Sequence, residues 1–335
     1  MAVVKTKDLV LDYLKVNNGK FVSGQLIAKE LFLTRASVWK AINALRGAGY
    51  EIESVTNKGY RLLASVDRLD AISIAKKLTN SAVSVEVFEE LDSTNDEARR
   101  RLLGGQDRVL IISECQKNGR GRRGRSFYSP YRSGLYMSIG FRSELRVENA
   151  THITSIAAVA VAEVIDEIIN EAGGKATCGI KWVNDIFIGD RKVCGILTEA
   201  YGGLEDQGDN FYVVGIGINV NEAKDPLPKE LVGVLGTIAG QAKVTLSQCV
   251  RDELAARITD RFLGYYIAED SSYIAKYRSK SCIIGAYVKI NNFNKSKPHK
   301  YGKVIGINDA CHLIIEYDNG KQDELSSGEV SVVKY

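Results

Sequence analysis

Several kinds of chemistry are missing from this chain. Its 335 residues include only three histidines and six cysteines. The cysteines (115, 178, 194, 249, 282 and 311) form no C-x-x-C pair and the histidines are dispersed, so metal-ligand spacing is absent and the thiols read as ordinary reduced ones. No G-x-S-x-G elbow occurs, and so few histidines leave few general bases, which argues against a serine or cysteine hydrolase. No G-K-[ST] ending marks a Walker loop. No apolar run approaches the ~20 residues of a membrane helix. The opening stretch VVKTKDLVLDYLK mixes charged with apolar residues too closely for a signal peptide, so the expected compartment is the cytoplasm.

What is present describes an ordinary soluble globular chain, 45% hydrophobic and 26% charged, long enough for two or three domains. The net charge of +4 is modest but unevenly placed. Residues 1–65 carry ten Lys and Arg against five Asp and Glu, while the remainder is near neutral. A basic N-terminal module on a neutral body points to a polyanion as that module's partner.

Within that module Leu9, Val10, Tyr13 and Leu14 fall at helical spacing over residues 7–17. NNGKFVS then breaks the helix and offers Ser23 as the N-cap of a second one through QLIAKEL. After Phe32 and Leu33, Thr34 caps RASVWKAINALR, where Val38, Ile42 and Leu45 mark the buried stripe and Gly47 and Gly49 the end. Arg35, Ala36, Ser37, Lys40 and Asn43 are left to face outward. YEIESVTNKGYRLL is a hairpin signal whose turn, residues 56–59, carries Lys58. Three helices and a basic-tipped hairpin make a winged helix-turn-helix, which lays its third helix in the major groove. The same fold also serves protein contacts, and the local charge excess is what favours DNA.

The most unusual segment is GRGRRGRSFYSP, residues 119–130. Its glycines match the dinucleotide fingerprint G-x-G-x-x-G, but the variable positions are arginine, Pro130 follows closely, and no acidic residue stands in a second strand. Four arginines in one loop repel one another, so an anion is expected among them. A solvated basic loop is the plain alternative, opposed by Phe127, Tyr128 and the strand-like VLIIS before it. Upstream, Ser93, Thr94 and Asn95 end a strand over SVEVFEELDSTN. They suit a neutral polar ligand or a simple helix cap.

ELDSTND, ECQKNGRGRRGRSFYSP, IKWVNDIFIGDRKVCGILTE and VVGIGINVN occur in this order behind the winged helix. Together they resemble the bifunctional biotin protein ligase and biotin operon repressor family, from about residue 5 to the C-terminus. Lipoate ligases share the catalytic fold but are not expected to carry the arginine loop or the N-terminal module. The resemblance implies that biotin's carboxylate attacks the α-phosphate of ATP, used with Mg2+, to give biotinyl-5′-AMP. A lysine of a biotin carboxyl carrier protein then takes the biotin. Such chemistry works by positioning and electrostatic stabilisation, which suits a chain poor in nucleophile signatures.

Carried over residue by residue, Ser93, Thr94, Asn95 and Gln116 are implied to hold biotin, with Arg120, Gly121 and Arg122 closing over it as a mobile lid whose self-repulsion only the ligand relieves. Lys181 and Arg122 are implied to be catalytic, with Lys181 also touching biotin. Arg122, Arg125, Phe127, Asn184 and Asn219 are implied to hold ATP and the adenylate. No resident metal site is implied. The chain departs from the family's usual pattern at Phe127, where tryptophan is common, and at Val183, where proline is common.

ENATHITSIAAVAVAEVIDEIINEAGG (148–174) and SQCVRDELAARITDRFLGYY (247–266) read as helices, and five short strands from AYVKINN to VSVVKY as a small β-barrel. The expected fold class is α+β: a winged helix-turn-helix over 1–65, a linker and start of the catalytic domain over 66–80, a mixed-sheet ligase domain over 81–278 and an SH3-like barrel over 279–335. Three functional classes stay open: a ligase that also represses biotin genes as an adenylate-promoted homodimer on operator DNA, a ligase only, and a DNA-binding biotin sensor without turnover.

Overall fold

A computed structural model describes residues 6–17, 19–47, 50–64, 68–80, 82–143, 150–202, 210–268, 271–290, 299–326 and 330–333. The chain divides into two compact units, Met1–Arg68 and Leu69–Tyr335.

In the first unit α1 (Thr6–Val16), α2 (Gly24–Glu30) and α3 (Arg35–Gly47) precede an antiparallel hairpin of β1 (Glu51–Val55) and β2 (Gly59–Ala64). The caps expected from sequence form: Leu26 N donates to Ser23 Oγ at 3.1 Å, and Ser37 N to Thr34 Oγ1 at 3.1 Å. Val38, Ile42 and Leu45 are buried with Val10, Leu14 and Ile27 in one core. The α3 helix ends at Gly47, and Gly49 lies outside the described residues.

The second unit contains α4 (Ala71–Lys77), β3 (Ser84–Phe88), α5 (Thr94–Leu103), β4 (Arg108–Ser113), β5 (Gly134–Arg142), α6 (Ala150–Glu171), β6 (Cys178–Lys181), β7 (Asp185–Ile188), β8 (Arg191–Tyr201) and β9 (Phe211–Asn219). Then come α7 (Ile238–Ala242), α8 (Val250–Ile267) and α9 (Ser272–Ser279), followed by β10 (Tyr287–Ile290), β11 (Lys300–Ile307), β12 (Leu313–Glu316), β13 (Gln322–Leu325) and β14 (Val330–Val332). The central sheet runs β3-β4-β5-β9-β8-β7-β6, with β3 and β4 parallel and every other pair antiparallel. The five C-terminal strands form an antiparallel sheet in the order β13-β12-β11-β10-β14. Of the segments expected as helix or strand, residues 148–149, 291–292 and 334–335 lie outside the described residues.

Both faces of the central sheet are covered, and strand alternation sorts side chains between them. Leu110 and Ile112 of β4 and Val214, Ile216 and Ile218 of β9 join α6 and α8 in the main core. Val109, Ile111 and Val213 face α5. The α6 helix is apolar on almost every side, as a helix enclosed by packing must be. The α5 face of β5, β8 and β9 is the floor on which the functional site stands.

Arg251 of α8 and Glu114, just past β4, form an ion pair at 2.6 Å with both side chains 1% exposed. Glu114 Oε1 also accepts from Leu69 N at 2.9 Å, and Arg251 Nη1 donates to Gly134 O at 3.2 Å. Removing one partner strands the other charge in the core. The Arg251→Ala variant is expected to lose about 3–5 kcal/mol of stability in the second unit, measured by urea unfolding. A change within error would show the pair to be dispensable.

Candidate functional site

Three strands and the start of α5 build a polar recess. Ser93 stands at the N-cap of α5 in extended conformation but makes no side-chain cap bond, so the helix-cap reading does not account for its hydroxyl. Thr94 donates to Gln116 Oε1 from its backbone N (2.9 Å) and from Oγ1 (3.1 Å). Gln116 Nε2 donates to Ser129 Oγ at 3.0 Å, and Ser129 Oγ to Phe127 O at 3.1 Å. Ser138, in the buried run of β5, sits 2.7 Å from Thr94 Oγ1 and 2.6 Å from Asn95 Oδ1. Its one proton serves one of the two. Asn95 Nδ2 reaches Glu199 Oε2 at 2.7 Å. Thr94 and Asn95 are buried, so the network satisfies polar groups that would be costly left alone.

Glycine spacing makes room for this. Gly215 pairs with Ser138 on one side and Leu197 on the other, and a Cβ there would lie 2.2 Å from Asn95 Oδ1. One step along, Gly217 pairs with Tyr136 and Gly195. A Cβ at Gly217 would lie 2.4 Å from the Phe127 ring, which rests there edge-on to Tyr136 with centroids 6.5 Å apart. GIGIN, weak as a motif, is thus a strand flattened at alternate positions.

The arginine loop closes over the recess as a tight reversal. Phe127 N donates to Gly119 O and Gly121 N to Arg125 O, both at 2.7 Å, with Arg123 and Gly124 in the left-handed region. The expectation that only a ligand relieves the loop's self-repulsion is corrected here, because the protein supplies counter-charges. Arg120 bonds Asp96 at 2.8 Å and Glu199 at 3.1 Å. Arg122 Nη1 donates to Asn184 Oδ1 at 3.0 Å. Asn184 is itself fixed to β8, with Nδ2 on Ile196 O at 2.8 Å and its carbonyl accepting from Ile196 N at 3.0 Å.

Lys181, at the end of β6, points its ammonium into the same pocket. Its Nζ stands 5.8 Å from the centroid of the Phe187 ring, and among the described residues it has no hydrogen-bond or ion-pair partner. The Trp182–Val183 peptide that follows is cis. The pocket lining brings together Ser93, Thr94, Asn95, Gln116, Arg120, Gly121, Arg122, Arg125, Phe127, Lys181 and Asn184. Arg123, the fourth of the clustered arginines, lines it too, as do Asp185, Lys192, Gly195, Gly217 and Val330 of β14, which were not singled out from sequence. Six basic side chains therefore face one carboxylate, Asp185, which Lys192 holds at 2.7 Å.

Asn219 is the exception. It lies two residues beyond Gly217 on the same face of β9, in a second cavity with Tyr128, Ser133, Asn221 and Glu222. The reason is the strand rise of about 3.3 Å per residue, which carries its side chain past the Phe127 ring. No histidine or cysteine lines the first pocket among the described residues. Burial pushes the Cys178 and Cys194 thiols up, as expected of inert core thiols.

In the first unit Arg35, Ala36 and Lys40 are exposed on α3, and Lys58 at the hairpin turn. Ser37 and Asn43 are half-buried, with Ser37 Oγ 2.8 Å from Thr34 Oγ1. Trp39, 56% exposed on the same face, was missed because an aromatic in a helix reads as core.

Three family models match the chain. An HTH domain covers residues 7–61, the biotin/lipoate A/B protein ligase family residues 87–221, and the biotin protein ligase C-terminal domain residues 292–333. The chain is similar to the bifunctional ligase/repressor BirA of Bacillus subtilis (strain 168), 30% identical over 318 residues and covering 94% of both chains. It is 29% identical over 327 residues to BirA of Escherichia coli (strain K12), again covering 94% of each. Among solved structures, the biotin protein ligase from Aquifex aeolicus in complex with biotin and ATP shares the fold, with a TM-score of 0.61, 24% identity, and coverage of 75% of this chain and 99% of that one.

Proposed function

The chain belongs to the family of bifunctional biotin ligase/repressors, and from that premise we propose that it joins biotin to a lysine of a biotin carboxyl carrier protein using ATP, and represses biotin genes with biotinyl-5′-AMP as corepressor. The observation that carries the ligase reading is the convergence of Lys181 and Arg122 on the pocket that also holds the Thr94–Gln116 network.

In this reading the Ser93, Thr94, Asn95 and Gln116 group takes biotin's polar head, with Arg120 and Gly121 over it. The biotin carboxylate attacks the α-phosphorus and pyrophosphate departs with the bond pair. A carrier lysine amine then attacks the biotinyl carbonyl and AMP leaves. Both steps build charge on phosphoryl oxygens. The Arg122 guanidinium, held by Asn184, and the Lys181 ammonium stabilise that charge. The nucleotide runs along β9 from Gly217 towards Asn219, with Arg125 and Asn184 beside it and the Phe127 ring stacking on the base. Among the described residues no cluster of three carboxylate, histidine or cysteine ligands could cage a metal. Mg2+ is proposed to enter as the substrate's own MgATP complex, as is common for this ion.

The first unit supplies the DNA reading. Arg35, Lys40 and Lys58 present exposed charge for phosphates, and Ala36, Ser37 and Asn43 stand where base edges would be met. Among the described residues no helix is long and apolar enough to cross a membrane, and the proposed site of action is the cytoplasm.

Incubated with biotin, MgATP and a carrier domain, the purified chain is expected to add one biotin to the carrier by mass spectrometry. An unmodified carrier would overturn the ligase reading. Lys181→Ala is expected to slow adenylate formation by about 10²–10³-fold, and Arg122→Gly to release the adenylate into solution, read by pulse-chase. For DNA, log affinity for a biotin-promoter fragment is expected to fall linearly with log salt, and Lys40→Ala to reduce that slope by about one. A flat salt response would leave a ligase alone. Sedimentation is expected to show more homodimer with biotinyl-5′-AMP than without. An unchanged monomer fraction would remove the corepressor step.

A further inference from the structure

The β6 strand that carries Lys181 is an edge of the central sheet, paired within it only to β7. An ammonium on a flexible four-carbon stem is placed only as well as its own backbone. On its other side that backbone is held from outside the sheet. Ile180 N donates to Lys280 O at 2.7 Å and Cys282 N to Ile180 O at 3.0 Å, a parallel bridge that extends the edge. The buried Trp182 indole donates from Nε1 to Cys311 O at 2.9 Å. The fully buried Tyr277 donates from its hydroxyl to Val183 O at 2.9 Å.

The acceptor and donor are themselves fixed. Cys311 lies in the turn between β11 and β12, where its N donates to Asn308 O at 3.0 Å and His312 N to Asn308 Oδ1 at 2.9 Å. Arg278 ties this turn to α9, with Nε on Ile307 O and Nη2 on Asp309 Oδ1, both at 2.6 Å. Tyr277 stands next to Arg278 on the same helix. Asn184 completes the series through its bonds to Ile196. Residues 180 and 182–184 are therefore each pinned, and the unpinned side chain among them is Lys181.

We propose that the Trp182 indole N–H and the Tyr277 hydroxyl are positioning groups for Lys181, through which the C-terminal sheet and α9 set the place of the reacting ammonium. This rests on the ligase reading for its kinetic consequence, though not for its geometry.

The test uses the full chain with Trp182→Phe and Tyr277→Phe, which keep each ring and remove each donor. At saturating MgATP, kcat for adenylate formation is expected to fall on the order of ten-fold in each. KM for biotin should change less than kcat, because of the residues assigned to biotin only Lys181 stands on β6. In parallel, acylation of lysines by an amine-reactive ester, quantified by mass spectrometry, is expected to rise at Lys181 while the exposed Lys40 and Lys229 keep their wild-type rates. Unchanged kcat together with unchanged Lys181 labelling would overturn the proposal. So would labelling that rises at all three lysines alongside a lowered melting temperature, which is the signature of a merely structural role. If the wild-type chain makes no adenylate, the ligase reading fails on its own and the labelling pattern alone decides the positioning claim.

Discussion

Like charges crowded into one cavity repel, and the second unit is arranged around holding six of them in place. Arginine and lysine side chains left to themselves would turn to water, where hydration is strong and neighbours are far. Here Arg120 is drawn to Asp96 and Glu199, Arg122 to Asn184 and Lys192 to Asp185. The four tethers come from α5, β8, the turn before β7 and the start of β7 itself. The central sheet must therefore bring remote strands together before the pocket can hold its charge. Lys181 is the contrast, because its hold lies in the backbone on either side of it.

The recess beside those charges follows a different rule. Its polar groups are mutually satisfied through Ser138, Thr94, Gln116 and Ser129, so the cavity keeps a hydrogen-bonding face without exposing unpaired atoms to the core. The same chain of bonds ends on the carbonyl of Phe127, the residue that closes the arginine loop. Recognition and closure thus share covalent and hydrogen-bonded parts.

Much of this was legible in the sequence where the signal is local. The helix caps Ser23 and Thr34, the stripe of Val38, Ile42 and Leu45, and the clustered arginines all depend on neighbours a few residues away. The long-range partners were not legible, whether the counter-charge Glu199, 79 residues from Arg120, or the Cys311 carbonyl, 129 residues from Trp182. The β5 strand escaped notice for another reason. GLYMSIGFR is buried on both faces and shows no alternation, so neither strand nor helix periodicity marks it. Asn219 was assigned correctly to a strand end, but the cavity it lines depends on where the Phe127 ring lies over Gly217. Trp39 was passed over because hydrophobicity alone does not say which helix face is wet.

The paired glycines have a bearing on how this chain can drift. Gly195 and Gly217 stand opposite each other on neighbouring strands, and a methyl group at Gly217 would collide with the Phe127 ring. Gly215 is similarly closed off by the Asn95 amide. The hollow owes its shape to carbon atoms that are not there, and a single change to alanine in this row would need a compensating change in a different element. Such positions drift slowly, and the hollow should outlast much of the surface around it.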